Sequence, residues 1–209
     1  MRSTDEAGMR HPAVELWLDP VCPFSWNTAR WLAEVAKDNG FEIQWHLMSL
    51  AVLNEGQAAM PPAQQTRMRD SRLIGRLMAA IDSELGQTGW VAAYFGFGAA
   101  YFDHGVAVDE HLAAQVLKIA GAQVVTVSSM WDDSLDATVR RSHDAAQQAL
   151  GMTGGSPMLT IGGKTFFGPV LSSLPDLQTH QALFDAVVVL ANTPQFSQVE
   201  RPRASQGPH

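Results

Sequence analysis

The stretch LDPVCPFSWNTARW, residues 18–31, holds the single cysteine of the chain, Cys22, followed by Pro23, Phe24 and Ser25. A sulfur at position 25 would complete a Cys-x-x-Cys redox pair; a hydroxyl stands there instead. The chemistry open to this arrangement is monothiol. A mixed disulfide formed on Cys22 has no second sulfur in the chain to discharge it, so a soluble thiol must attack it.

The nucleophile in such chemistry is the thiolate. Cys22 follows an alternating apolar segment and precedes a helical one, so it is expected at a strand-to-helix junction. Unpaired backbone N–H groups converge there, and the positive end of the helix dipole points at the site. Cysteines so placed titrate between about 3.5 and 7.5, against about 8.5 for a free thiol, and Cys22 is expected to be a thiolate of this kind. Pro23 suits the first helical turn because it has no N–H to leave unpaired. The Ser25 hydroxyl, one turn on, is placed to donate to the sulfur. The ordinary role of a lone cysteine is a small buried hydrophobe; the strand–Cys-Pro–helix context argues for the reactive one. Asp19, three residues earlier, either tunes the ionisation of the thiol or closes the strand.

The elements that position this residue follow from periodicity. AVELWLD (13–19) alternates like a strand, FSWNTARWLAEVAKDNG (24–40) carries the apolar stripe of a helix stopped by Gly40, and FEIQWHLMSL (41–50) alternates again. Strand, helix and strand joined by tight turns make a βαβ unit. From about 54 to 150 the spacing is helical, in QQTRMRDSRLIGRLMAAIDSELG, EHLAAQVLKIAGAQ and SMWDDSLDATVRRSHDAAQQALG, while GWVAAYFGFGAAYFDHG (89–105) is ambiguous. Then Met158–Ile161 and Lys164–Phe167 read as a hairpin about Gly162-Gly163. LPDLQTHQALFDAVVVLAN reads as a closing helix with Pro175 in its first turn. The order gives an α/β, thioredoxin-like fold with an inserted α-helical domain. Residues 12–55 and 152–196 form the discontinuous sheet domain, 56–151 the insertion, and 1–11 and 197–209 flexible tails.

Composition restricts the partners. A formal charge of −7 argues against nucleic acid and anionic membrane surfaces. No window approaches the roughly 18–20 apolar residues of a membrane span, and the N-terminal stretch lacks the apolar run of a signal peptide. One cysteine excludes an internal disulfide framework, which fits a cytoplasmic protein in a reducing compartment. His104 with Asp103, Asp109, Glu110 and His111 matches no metal-ligand spacing, and no metal is expected. Gly96-Phe97-Gly98 lacks the third glycine and the βαβ setting of a dinucleotide loop, so neither flavin nor nicotinamide is expected. His143 is expected on the surface or as a satisfied core histidine, and Arg140 and Arg141 as solvated helix charges. The aromatic residues between Trp90 and Phe102 are expected in the core.

Ser156-Pro157, just before the third strand, reads by itself as a loop proline entering a strand; paired with Cys22 it suggests a cis-proline loop beside the sulfur. WLDPVCPFSW, HLMSLAVLNE and GGSPMLTIGGKTFFGPVLSSLP together resemble the DsbA-like thioredoxin superfamily, and within it the mycothiol-dependent nitroreductase group. The similarity is strongest over 14–56 and 138–196, including RRSHDAA (140–146), and weak through the central helices. The resemblance implies a low-molecular-weight thiol as reductant, mycothiol or glutathione, and a disulfide or small electrophilic organic compound as substrate. It maps the nucleophile onto Cys22 and the cis-proline onto Pro157; Pro23, Phe24 and Ser156 beside them, and Asn54 near the expected edge of the site, are candidate contacts to the thiol. Phe24 stands where a tryptophan is frequent. Ser25 departs from the group, whose members carry a resolving cysteine there. It fits a natural monothiol enzyme, a drift toward transferase chemistry, or an engineered replacement that traps an intermediate. Related kappa-class transferases and isomerases use a serine-based motif in this region, so a transferase or isomerase is the rival reading. A thiol-binding module that has lost turnover is the third.

Overall fold

A computed structural model describes residues 12–57 and 59–202; the leader 1–11 and the last residues of the tail, 203–209, lie outside the described residues. Residues 197–202 have no regular secondary structure.

The sheet is built around β1, Val14–Leu18. It pairs in parallel with β2, Ile43–Leu47, and antiparallel with β3, Met158–Ile161, which pairs antiparallel with β4, Lys164–Phe167. The strand order is β2-β1-β3-β4. Both open strands are shorter than the alternation in the sequence: Ala13, Asp19, Phe41 and Glu42 lie outside them. Alternation works as expected inside the strands. Leu16, Leu18, Trp45 and Leu47 enter the main core with Trp26, Ala29, Leu32 and Val35 of α1, Pro23–Asn39. Trp17 points the other way, into a second cluster with Met48, Ala146 and Met158. The helix α1 stops where the chain turns left-handed at Gly40, φ 70°.

The middle of the chain is helical: α2, Leu50–Leu53; α3, Pro62–Gly98; α4, Glu110–Ala120; and α5, Asp136–Leu150. Two helical segments meet within α3 at Gly86, whose φ of 61° and ψ of −158° only glycine adopts readily. The ambiguous stretch 89–105 is the end of α3 running into a π-helical turn, Ala99–Asp103. Its glycines are packing devices. A Cβ on Gly98 would lie 2.3 Å from the Trp26 ring, so the missing side chain lets the helix sit on α1. The closing helix α6, Leu177–Ala191, starts one step later than expected: Asp176 caps it by accepting from the Thr179 N–H at 2.9 Å, and Pro175 lies ahead of the cap. The side-chain cap satisfies an orphan amide, which fixes the start more firmly than a proline does.

The edge of β2 is covered by side chains rather than by another strand. The Gln87 amide donates to the Trp45 carbonyl and accepts from the Trp45 N–H, each at 2.8 Å, as a neighbouring strand would. Ser142 on α5 donates to the Leu47 carbonyl at 2.6 Å. The insertion thus docks on the sheet through the hydrogen bonds an exposed edge would otherwise offer to another chain. Gln87→Ala should remove two of them and cost about 2 kcal/mol. Thermal unfolding is expected to fall by about 4–8 °C, with hydrogen exchange at the Trp45 amide accelerated more than at Val14 or Leu16 in the sheet centre.

Candidate active site

The turn after β1 is organised by Asp19. Its side chain is fully buried, and its two oxygens collect three donors. Oδ1 accepts from the Val21 N–H at 2.8 Å. Oδ2 accepts from the Leu50 N–H at 2.6 Å and the Ser71 hydroxyl at 2.5 Å. The first bond shapes the turn; the other two tie it to α2 and α3. The Asp19 carbonyl then accepts from the Cys22 N–H at 3.1 Å. Cys22 is the N-cap of α1, in extended conformation, with Pro23 at the first helical position.

The other wall is the loop entering β3, in which the Ser156–Pro157 peptide is cis. Ser156 makes three contacts with the turn. Its Oγ accepts from the Asp19 N–H at 2.7 Å, its Oγ lies 2.5 Å from Ser25 Oγ, and its carbonyl accepts from the Cys22 thiol at 3.2 Å. Gln147 on α5 holds the approach to this loop, bonding both the N–H and the carbonyl of Gly154 at 2.8 and 3.1 Å. Cys22, Pro23, Ser25, Ser156 and Pro157 are thus brought together, all buried, with Phe24 half-buried.

The expected thiolate is not what this arrangement holds. Cys22 is 4% exposed, and burial pushes its thiol above the ordinary range. The hydroxyl and N–H of Ser25 and the N–H of Phe24 act in the opposite direction, as anticipated for a helix start, while the Asp19 carboxylate adds to the rise. The dipoles are present; the Ser156–Pro157 loop excludes the water that would let them win. In this state the thiol stays protonated and donates a hydrogen bond to the Ser156 carbonyl.

Asn54 ends α2 as its C-cap; its amide donates to the Leu50 carbonyl at 2.8 Å and accepts from Gln57 at 2.9 Å. Its helix joins the Cys22 turn at the other end, through Leu50. Arg140 is engaged by Glu55, donating to both carboxylate oxygens at 2.8 and 2.9 Å. His143 is a core histidine, its Nδ1 accepting from the Ser49 N–H at 3.4 Å. Asp109 caps α4, and among the described residues no group of three His, Cys, Asp or Glu side chains is disposed to hold a metal. No helix among them is long and apolar enough to cross a membrane. Two small cavities lie away from the sulfur. One of about 70 Å³ is lined by His46, Asp82 and Gln87, and one of about 20 Å³ by Glu55, Arg72 and Arg140. Ser71, which donates to Asp19, was not singled out in the sequence; a serine inside a helical pattern carries no signal of which distant loop it faces.

Burial pushes the Asp19 carboxyl up, against its hydrogen bonds from Ser71, Leu50 and Val21. A carboxyl raised in the folded state contributes stability that is complete below its unfolded value, about 3.9, and lost as pH rises through the folded one. Asp19→Asn places an NH₂ among donors and should cost about 1–3 kcal/mol. It also abolishes the titration, so the advantage of the native chain over the variant should be largest at acid pH and shrink toward neutrality. Urea midpoints from pH 4 to 8 would measure this; a constant difference would contradict it.

Known proteins with this architecture agree on the fold. A structure described as 2-hydroxychromene-2-carboxylate isomerase superposes with a TM-score of 0.57 at 18% identity, covering 86% of this chain and 95% of that one. The cytosolic disulfide reductase DsbM from Pseudomonas aeruginosa, solved with GSH, gives 0.55 at 14% identity over 85% and 99%. The fold is thioredoxin-like with an inserted helical domain, as in the DsbA-like proteins. An uncharacterised protein of Mycobacterium tuberculosis, Rv2286c, is 26% identical over 206 residues, 91% of this chain and 82% of its own length. The family described as mycothiol-dependent nitroreductase Rv2466c matches residues 21–201, from the turn at Cys22 through the last helix. The chain belongs to this Rv2466c-like family of mycothiol-dependent nitroreductases.

Proposed function

We propose that the protein is a thiol-dependent oxidoreductase working through one sulfur, Cys22, with a low-molecular-weight thiol, mycothiol rather than glutathione, as reductant. The carrying observation is the meeting of Cys22, at the N-cap of α1, with Ser156 of the cis-proline loop while position 25 holds a hydroxyl. In this reading a disulfide substrate is attacked by the Cys22 thiolate, which forms a mixed disulfide and releases one thiolate. A soluble thiolate then attacks the partner sulfur, and the electron pair of the broken S–S bond returns to Cys22. With a nitroaromatic substrate, two soluble thiols supply two electrons and two protons; the products are a nitroso compound, water and the thiol disulfide. Ser156 and Pro157 offer backbone beside the sulfur for an extended thiol ligand, and Pro23, Phe24 and Asn54 border its approach.

Activation follows from the geometry. Proton loss turns the Cys22–Ser156 contact into an anion against a carbonyl oxygen. The sulfur then turns from Ser156 toward the Phe24 and Ser25 N–H groups and the Ser25 hydroxyl. The chemistry draws on a reduced thiol pool, which favours a cytoplasmic location.

A second reading is supported by the same burial. The hydroxyls of Ser25 and Ser156 would position a cofactor thiolate for transfer or isomerisation while Cys22 stays protonated and idle. A module that binds thiol without turnover is the limiting case. Cys22→Ala separates them: reduction of a disulfide or nitro compound by mycothiol should fall by at least about 10³-fold, whereas idle Cys22 predicts unchanged rates and no thiol consumption. Ser25→Cys restores an in-chain resolving thiol. The rate of discharging the Cys22 mixed disulfide should then lose its dependence on thiol concentration, which in the native chain is first order.

A further inference from the structure

Tyr94 is fully buried, and its hydroxyl has no hydrogen-bond partner. A phenol is normally satisfied when buried, and an orphaned one is costly to keep. The ring is not loosely held: it stacks on Trp90 with centroids 5.5 Å apart and meets the Trp26 ring edge-on at 6.0 Å. Trp26 lies one helical turn after Cys22 on α1, and its N–H donates to the Cys22 carbonyl at 3.0 Å. Tyr94 is therefore packed against the first turn of the active-site helix.

Among the described residues two other buried donors are unpartnered, Trp17 Nε1 and Arg30 Nε. Trp17 belongs to the cluster on the other sheet face and stacks on His46. Arg30 spends its guanidinium on Asn27 and Asp103 and lies over the Trp26 ring. Tyr94 is the one whose phenol is sensitive to negative charge on Cys22, and secondarily on Asp19. Burial, followed by those two charges, pushes the phenol well above its ordinary value, so it stays protonated and able to donate where a free phenol would ionise.

We infer that the Tyr94 hydroxyl is a further hydrogen-bond donor to the Cys22 sulfur, beside Ser25 and Phe24, once that sulfur is an anion. The inference rests on the monothiol reading of Cys22. When a soluble thiolate bonds to the partner sulfur of the mixed disulfide, the S–S bond to Cys22 breaks and its electron pair stays on Cys22. Tyr94 keeps its proton and donates a hydrogen bond to that leaving sulfur; nothing is transferred to or from the phenol. The resting thiol, donating to Ser156, has no use for this donor, which is why the hydroxyl is orphaned in the protonated state. The donor is thus held ready for the anion at the expense of the resting fold.

The test uses the single cysteine. Labelling cysteine with ¹³C at Cβ gives one resonance whose shift reports the ionisation of Cys22 without substrate or reagent. In Tyr94→Phe the midpoint should rise, lowering the thiolate fraction at a given pH about tenfold. Resolution of the mixed disulfide should slow to a similar extent with KM for the thiol unchanged, while Tm stays level or rises because an orphaned hydroxyl is gone. Superimposable titration curves would overturn the inference. If Tyr94→Phe fails to fold, 3-fluorotyrosine in a Tyr101→Phe background labels Tyr94 alone, since the chain has two tyrosines. The more acidic phenol donates more strongly, so the midpoint should then fall, and a fixed midpoint would again refute the role. A native chain that turns over no thiol would overturn the monothiol reading, and the titration would still decide whether Tyr94 bonds the sulfur.

Discussion

Everything at the sulfur depends on a residue from the far end of the chain, Ser156, being seated on the turn that follows β1. Its hydroxyl accepts a hydrogen bond from the Asp19 N–H and meets the Ser25 hydroxyl, and its carbonyl accepts one from the Cys22 thiol. These bonds are buried, where an unmade one costs more than a made one gains. The seat is prepared by the antiparallel pairing of β1 with β3, which sets Trp17 opposite Met158 and so brings the loop before β3 to the C-terminal end of β1. Sheet register, set by apolar alternation, fixes where the sulfur meets its partner.

Asp19 performs the matching task toward the insertion. By collecting donors from the turn, α2 and α3, it makes one buried carboxylate common to three elements. The cost of keeping an acid there appears as its upward-shifted titration; the return is that the helical insertion and the Cys22 turn cannot move independently without orphaning a donor. Gln87 and Ser142 repeat the arrangement at the outer edge of β2, again pairing side chains of the insertion with main chain of the sheet.

Much of this was readable from residue order. The two strands about Gly162-Gly163, the stop of α1 at Gly40 and the N-cap position of Cys22 followed from local chemistry, because turns, caps and prolines act within a few residues. The seating of Ser156 against Cys22 needed the resemblance as well, since a Ser-Pro pair has no local signal of what it will face. The end of α3 was illegible: Gly96 and Gly98 argue against a helix until the Ile119 and Trp26 side chains that require their bareness are known. The ionisation of Cys22 went the wrong way for a related reason. Helix dipoles are local and can be counted along the chain, whereas the exclusion of water is a property of segments more than a hundred residues apart. The contact of Ser71 with Asp19 was hidden on the same ground.

The proposed mechanism stores the Cys22 thiol in its protonated form, activates it at the moment of use and draws the second sulfur from solution. Intact-mass measurement after exposure to oxidised mycothiol tests that directly. The proposed mechanism predicts one mycothiol adduct per chain, mapped to the peptide containing Cys22, formed faster than with oxidised glutathione and removed by reduced thiol. A chain that stays unmodified under native conditions, and accepts the adduct only when unfolded, would contradict it.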